Sequence, residues 1–177
     1  PMSSGVAVEG IRLIQQHLIN AHADGQDMVA REGMLVASAM AAVAFQKGLG
    51  GVHALAHPLG ARYHKHHGLL NAILLPYVLM ANRETIAPDI ARLARYLELP
   101  QADFDGFLDW VLDLRKRLGI PHSLAEIGLD ADAASWVGEQ ALADISSSDT
   151  NACVLSADDY SQIFRNAVQG VLQGVRP

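Results

Sequence analysis

Residues 48–76 read GLGGVHALAHPLGARYHKHHGLLNAILLP, and five of the chain's eight histidines (His53, His57, His64, His66 and His67) fall in fifteen consecutive positions of it. The remainder is largely apolar or glycine. Imidazole both ligates metals and moves protons near neutral pH, so this density in a hydrophobic setting points to a metal-centred catalytic site. From Gly51 the pattern predicts a short helix stopped near Pro58, whose ring and missing N–H obstruct regular helix. A loop through Arg62 to His67 should follow, then a helix from Gly68 carrying Leu69, Leu70, Ile73 and Leu74 before Pro76. On a helix His53 and His57, four apart, share a face. Gly60 gives the chain freedom to fold back and aim His67 at the same point.

Spacing alone leaves two readings open. Three imidazoles could converge on one ion, or these could be ordinary hydrogen-bonding side chains, since no H-E-x-x-H or cysteine-pair pattern is present. His64 and His66 read equally well as solvated loop residues. The isolated His17, His22 and His122 read as partly exposed residues with no site role.

Outward from this stretch the periodicity is helical throughout. Ser3 and Ser4 can cap a helix whose Val8, Ile11, Ile14 and Leu18 share a face and which ends near Ala23. A turn at 24–27 leads to a second helix rich in Ala and Ser, predicted to be buried deep in the bundle because small side chains let a neighbour come close. Lys47 and the glycines at 48, 50 and 51 end it. Beyond Pro76 helix resumes from Tyr77 to Ala81, and Pro88 suits the first turn of another bearing Ile90, Leu93, Ala94 and Leu97. Phe104, Phe107, Leu108, Val111, Leu112 and Leu118 form a broad stripe closed by Gly119 and Pro121. Short helices are expected at 124–127 and 131–143, a loop at 146–151, and a final helix capped by Ser156 with Tyr160, Ile163, Phe164, Ala167, Val168 and Val171 inward. The fold class is therefore all-α, a helical bundle in one domain over residues 1–177.

Composition limits the function classes. The chain is 50% hydrophobic, 18% charged and 6% aromatic, which favours packed helices. A formal charge of -6 without a basic cluster gives no reason to approach nucleic acid or an anionic membrane surface. No run of about 18 uninterrupted apolar residues occurs, so no membrane role is expected. The lone Cys153 cannot form an internal disulfide; a reducing cytoplasm is the expected setting, and the thiol reads as buried and inert. Trp110 and Trp136 read as core, and Asn151 receives no role. Pro1 is not a natural translation start, so residues are expected upstream.

The parts GLGGVHALAHPLG, HHG and NAILLP resemble the signature of the iron-containing alcohol dehydrogenase family: a glycine-led helix with two histidines, a proline-leucine-glycine turn, then a histidine-glycine pair opening an asparagine-alanine helix. PMSSGVAVEGIRLI and LRKRLGIPHSLAEIGL resemble further segments of the same helical second domain. The resemblance implies that His53 and His67 are metal ligands, with Gly68 and Asn71 keeping the register that favours His67 over His66. It places His57 beside the metal and the nicotinamide ring, as a catalytic residue for proton relay or substrate orientation, whereas spacing alone nominated it as a ligand.

The implied enzyme is an oxidoreductase acting on a small-molecule alcohol or aldehyde, with Fe2+ or Zn2+ and with NAD or NADP. The family's two other ligands, an aspartate and a histidine, and its amino-terminal dinucleotide-binding domain would precede this sequence; cofactor-binding residues are unknown. A chain holding only the second domain is expected to bind metal weakly, to lack dehydrogenase activity by itself, and to be open to homo-oligomerisation through an exposed apolar patch. The alternatives are a stand-alone helical interaction or scaffold module without catalysis, and a hydrolytic site using His53, His57 and His67 together.

Overall fold

The computed structural model describes residues 1–175, and among them every regular element is a helix. Their contacts divide the chain into two compact units, Pro1–Lys47 with Asp89–Phe107, and Gly48–Pro88 with Leu108 onward.

In the first unit α1 (Met2–Ala23) pairs with α2 (Met28–Ala44). Pro1 occupies the cap position of α1 and no side chain caps it, so Ser3 and Ser4 lie within the first turn and are not its caps. Asp27 caps α2 by accepting from the Ala30 N–H. The small residues of α2 do permit close approach: a Cβ added at Gly10 of α1 would sit 3.5 Å from Met40 Cβ. The expected deep burial of α2 is nevertheless not found. Only Ala30 and Ala37 are buried, while Met28, Val29, Leu35, Val36 and Val43 are exposed. One narrow stripe suffices to pack on α1, and the larger side chains lie on other faces of the helix. The stretch Met28–Lys47 has the length and apolarity of a membrane span, a criterion that helices of soluble proteins also meet. Glu9 of α1 accepts hydrogen bonds from Arg12 Nε at 2.8 Å and from the Tyr96 hydroxyl at 2.7 Å.

The second unit carries α3 (Gly51–Tyr63), most of α4 (His67–Tyr96), most of α5 (Phe104–Arg117), α6 (Ala134–Ala143), α7 (Ile145–Ser148) and α8 (Ala157–Gln169). Two proline stops expected from sequence are absent. Pro58 lies inside α3, and Pro76 and Pro88 lie inside α4, which is one 30-residue helix. A proline removes one N–H from the ladder, but its φ is helical, and here fully buried Leu55, Leu59, Leu70, Ile73 and Leu74 hold the flanking turns. The expected loop at 146–151 begins instead with the short helix α7. The Ser146 and Ser147 hydroxyls bond Asp144 and that of Ser148 bonds the Leu142 carbonyl, so none competes for the local helical N–H groups.

The core of this unit lies between α3, α4, α6 and α8, with Leu55, Leu59, Tyr77, Val137, Tyr160, Ile163 and Phe164 at or near complete burial. Burying a side chain such as Phe164 contributes about 1.5–3 kcal/mol. The α8 helix follows its sequence closely. Ser156 and Asp159 form a reciprocal capping box, and Gly170 ends the helix in the left-handed conformation. Val171 falls beyond that end and is exposed, against expectation. Trp110 and Trp136 are half-buried, not core, and the Arg62 guanidinium lies over the Trp136 ring at 4.3 Å.

Candidate metal and catalytic centre

The entry to α3 is what aims its histidines. Gly50 takes φ 94°, a conformation that suits glycine, and the Gly51 N–H donates to Asn151 Oδ1 at 3.0 Å while the Leu49 N–H donates to Thr150 Oγ1 at 3.1 Å. Asn151 also accepts from Asn82 Nδ2 and donates to Asn82 Oδ1 and to the Cys153 carbonyl. It is therefore the fastening of this helix, a role that sequence reading missed because its partners lie 100 and 69 residues away. Cys153 is half-buried and its thiol lies 3.1 Å from Asn82 Oδ1.

The chain leaves α3 through His64, a non-glycine residue at φ 52°, and not through a bend at Gly60, which is helical. That turn puts His67 at the first position of α4. His66 precedes it, and the His66 Nδ1 accepts the Leu69 N–H at 3.3 Å, occupying that ring with capping the helix.

Three of the five histidines come together: the ring centroids of His53 and His67 are 5.2 Å apart, those of His53 and His57 5.6 Å, and those of His57 and His67 5.5 Å. His64 and His66 are exposed and take part in none of these ring contacts. Asn71, one turn into α4, donates from Nδ2 to His53 Nε2 at 3.3 Å and to His67 Nε2 at 3.1 Å. In that arrangement both Nε2 atoms present lone pairs to one point, the protonation state in which imidazole ligates a cation. Asn71 Oδ1, on the same amide, is buried with no hydrogen-bond partner. Burial, and then the neighbouring His67 and His57 rings, push the His53 imidazole below its ordinary value, which favours its neutral form.

His57 is placed differently. Its Nδ1 lies 2.7 Å from Asp144 Oδ2, at the start of α7. Asp144 has no precedent in the sequence reading; it is distant along the chain, and an Asp before three serines carries no signal of a histidine partner. Burial would raise the Asp144 carboxyl, but hydrogen bonds from Ser146, His57 and Ser147 outweigh it and hold the group below its ordinary value. Among the described residues no three His, Cys, Asp or Glu are set to hold an ion, and His57, facing Asp144, does not share the Asn71 contact of His53 and His67. The donors present, two imidazole nitrogens facing one point, fit a divalent ion as part of a larger ligand set.

His17, His22 and His122 lie elsewhere in the chain. His122 Nε2 lies 3.1 Å from the Gly170 carbonyl, and its own carbonyl accepts the Tyr77 hydroxyl at 2.6 Å.

Comparison with known proteins identifies one family. The family model described as "Fe-containing alcohol dehydrogenase family, C-terminal" matches residues 1–168. A 4-hydroxybutyrate dehydrogenase of Cupriavidus necator is 38% identical over 177 residues, covering 95% of this chain and 46% of that protein. A 1,3-propanediol dehydrogenase of Citrobacter freundii is 35% identical over 181 residues, covering 94% and 45%. Among solved structures, a 1,3-propanediol oxidoreductase superposes with a TM-score of 0.88 at 32% identity, over 94% of this chain and 45% of that one. The chain thus spans about half the length of the relatives it matches.

Proposed function

The chain belongs to the iron-containing alcohol dehydrogenase family, corresponding to its C-terminal domain, and from that premise we propose that it supplies half of the metal ligands and one catalytic histidine to an NAD- or NADP-linked alcohol dehydrogenase. The observation that carries this is the convergence of His53 Nε2 and His67 Nε2 on one amide nitrogen from opposite sides of the His64 bend. His53 and His67 would hold Fe2+ or Zn2+, with the remaining donors coming from outside this chain.

When bound, the ion supplies Lewis acidity toward an alcohol or carbonyl oxygen and the nicotinamide accepts or returns the hydride. What this chain's residues do is narrower. The depressed basicity of His53 keeps its lone pair available at neutral pH. His67, exposed at the first turn of α4, offers the second nitrogen. His57 lies against both rings without sharing their Asn71 contact, and its open ring can accept or return the proton of a small primary alcohol, or orient it. A small alcohol or aldehyde is the substrate class in this reading, and the lone thiol accords with a cytoplasmic setting.

The test is metal analysis and alcohol oxidation with NAD+ or NADP+ on the longest natural form of the protein. His53→Ala and His67→Ala should lose bound metal together with turnover. His57→Ala should retain metal and lose turnover by about 10²–10⁴-fold, the range for a general acid–base group. Loss of metal in His57→Ala to the same degree as in His53→Ala would remove His57 from its catalytic role, and a wild type without nicotinamide-linked oxidation would end the dehydrogenase reading.

A further inference from the structure

We infer that Asp144 is the positioning residue for His57, accepting the Nδ1 proton so that the ring is held in one orientation with Nε2 as its free, lone-pair-bearing nitrogen. This rests on the reading of His57 as the proton-handling group. The contact joins residues 87 apart in sequence at 2.7 Å. The carboxylate is itself held from both sides: the Ser146 hydroxyl donates to Oδ1 at 2.6 Å and the Ser147 hydroxyl donates to Oδ2 at 2.8 Å. Ser147 is fully buried, and the Ser147 and Ser148 N–H groups return to the Asp144 carbonyl at 3.0 and 2.8 Å, so the α7 turn is built around this aspartate.

The stability of the His57–Asp144 pair does not account for that construction. The His57 side chain is 41% exposed and that of Asp144 20%, and an ion pair so open contributes little. A turn with two serines clamping one carboxylate does more than such a pair needs. What it achieves is direction. An ionised carboxylate only accepts hydrogen bonds, so the imidazole nitrogen facing it must carry the proton, and a neutral ring then leaves Nε2 bare. Among the described residues Nε2 of His57 makes no hydrogen bond. The ring is near-parallel to that of His67, at an interplanar angle of 17°, and edge-on to that of His53 at 65°. Asp144 thus does for the catalytic imidazole what an outer carboxylate does for a ligating one: it selects the tautomer and fixes the plane.

The experiment uses the longest natural form, zinc-loaded so that no unpaired electron broadens the rings, with 15N-labelled histidine. Two-bond 1H–15N correlations should show His57 as the Nδ1–H tautomer in the wild type. In Asp144→Ala the Nε2–H form should appear, and kcat should fall about 10- to 100-fold with KM and zinc content unchanged. Asp144→Asn keeps the volume of the turn and should show the same change in tautomer, so a misfolded alanine variant does not block the test. In a His57→Ala background either substitution should lower kcat no further. An unchanged His57 tautomer in both variants, or a wild type already in the Nε2–H form, overturns the inference. If the tautomer answers to Asp144 while the wild type oxidises no alcohol, the positioning stands and the proposed function fails; if the wild type is active and neither tautomer nor kcat responds, only Asp144 loses its role.

Discussion

Asn82 and Asn151 exchange two side-chain hydrogen bonds, from Asn82 Nδ2 to Asn151 Oδ1 at 3.0 Å and from Asn151 Nδ2 to Asn82 Oδ1 at 2.8 Å. The same Asn151 oxygen receives the Gly51 N–H, so this amide pair ties the middle of α4 to the first turn of α3, and through it to His53.

Asn151→Ala should therefore destabilise the fold by about 1–3 kcal/mol, because the Gly51 N–H and the Asn82 amide lose their partner together. Urea unfolding measures the loss. Zinc affinity of the longest natural form should fall in parallel, since the helix entry that aims His53 loosens; an unchanged affinity would show that α3 is positioned by packing alone.

Gly138 lies where α6 crosses α8. A Cβ there would run into the Ser161 hydroxyl and the Ala157 carbonyl, and the backbone oxygen cannot rotate away. Gly138→Ala should cost about 1–3 kcal/mol, the range for overpacking a close contact. The check is the denaturation midpoint, with Glu139→Ala on the exposed side of α6 expected to change it little.

Pro58 sits in the interior of α3, where it withholds one N–H from the helix. Pro58→Ala should restore that bond and stabilise the protein by roughly 1–3 kcal/mol. A thermal melt that moves downward would mean that the pyrrolidine ring packs in a way alanine cannot replace.

The Glu9 carboxyl is held down at about 2 by the Arg12 hydrogen bond first and by the Tyr96 hydroxyl second, against an ordinary value of 4.5. A folded-state value below the unfolded one means that the unfolded chain binds the proton more readily. Stability from this group is thus complete above about pH 4.5 and is lost as pH falls toward 2. Glu9→Gln should flatten the pH dependence of stability in that window, as followed by circular dichroism, and leave it unaltered at pH 7 to 8. An identical slope in wild type and variant would discard the assignment.

Much of the fold was legible because helical periodicity is a local property. The stripe from Phe104 to Leu118, the Ser156 cap and the glycine stop after α2 each depend on residues within a turn or two, and each is found close to where the pattern puts it. The prolines misled for the same reason. Read locally, Pro58 and Pro76 stop helices and Pro88 starts a new one, whereas the fully buried leucines around the first two hold each helix against the loss of a single hydrogen bond. Burial of α2 was misjudged because small side chains report how near a neighbour can come, not how many neighbours there are.

By itself the sequence determined an all-helical chain, its family, and three candidate histidines, since residue type and spacing along one helix are written in consecutive positions. Which partner each ring faces was decided only by the tertiary structure. His53 and His67 face one amide while His57 turns to Asp144, and that division depends on Asn71, Asn151 and the clamped aspartate. A hydrogen bond has direction and reaches only about 3 Å. Partners tens of residues apart meet at that range only after the chain has folded, so no local pattern can announce them.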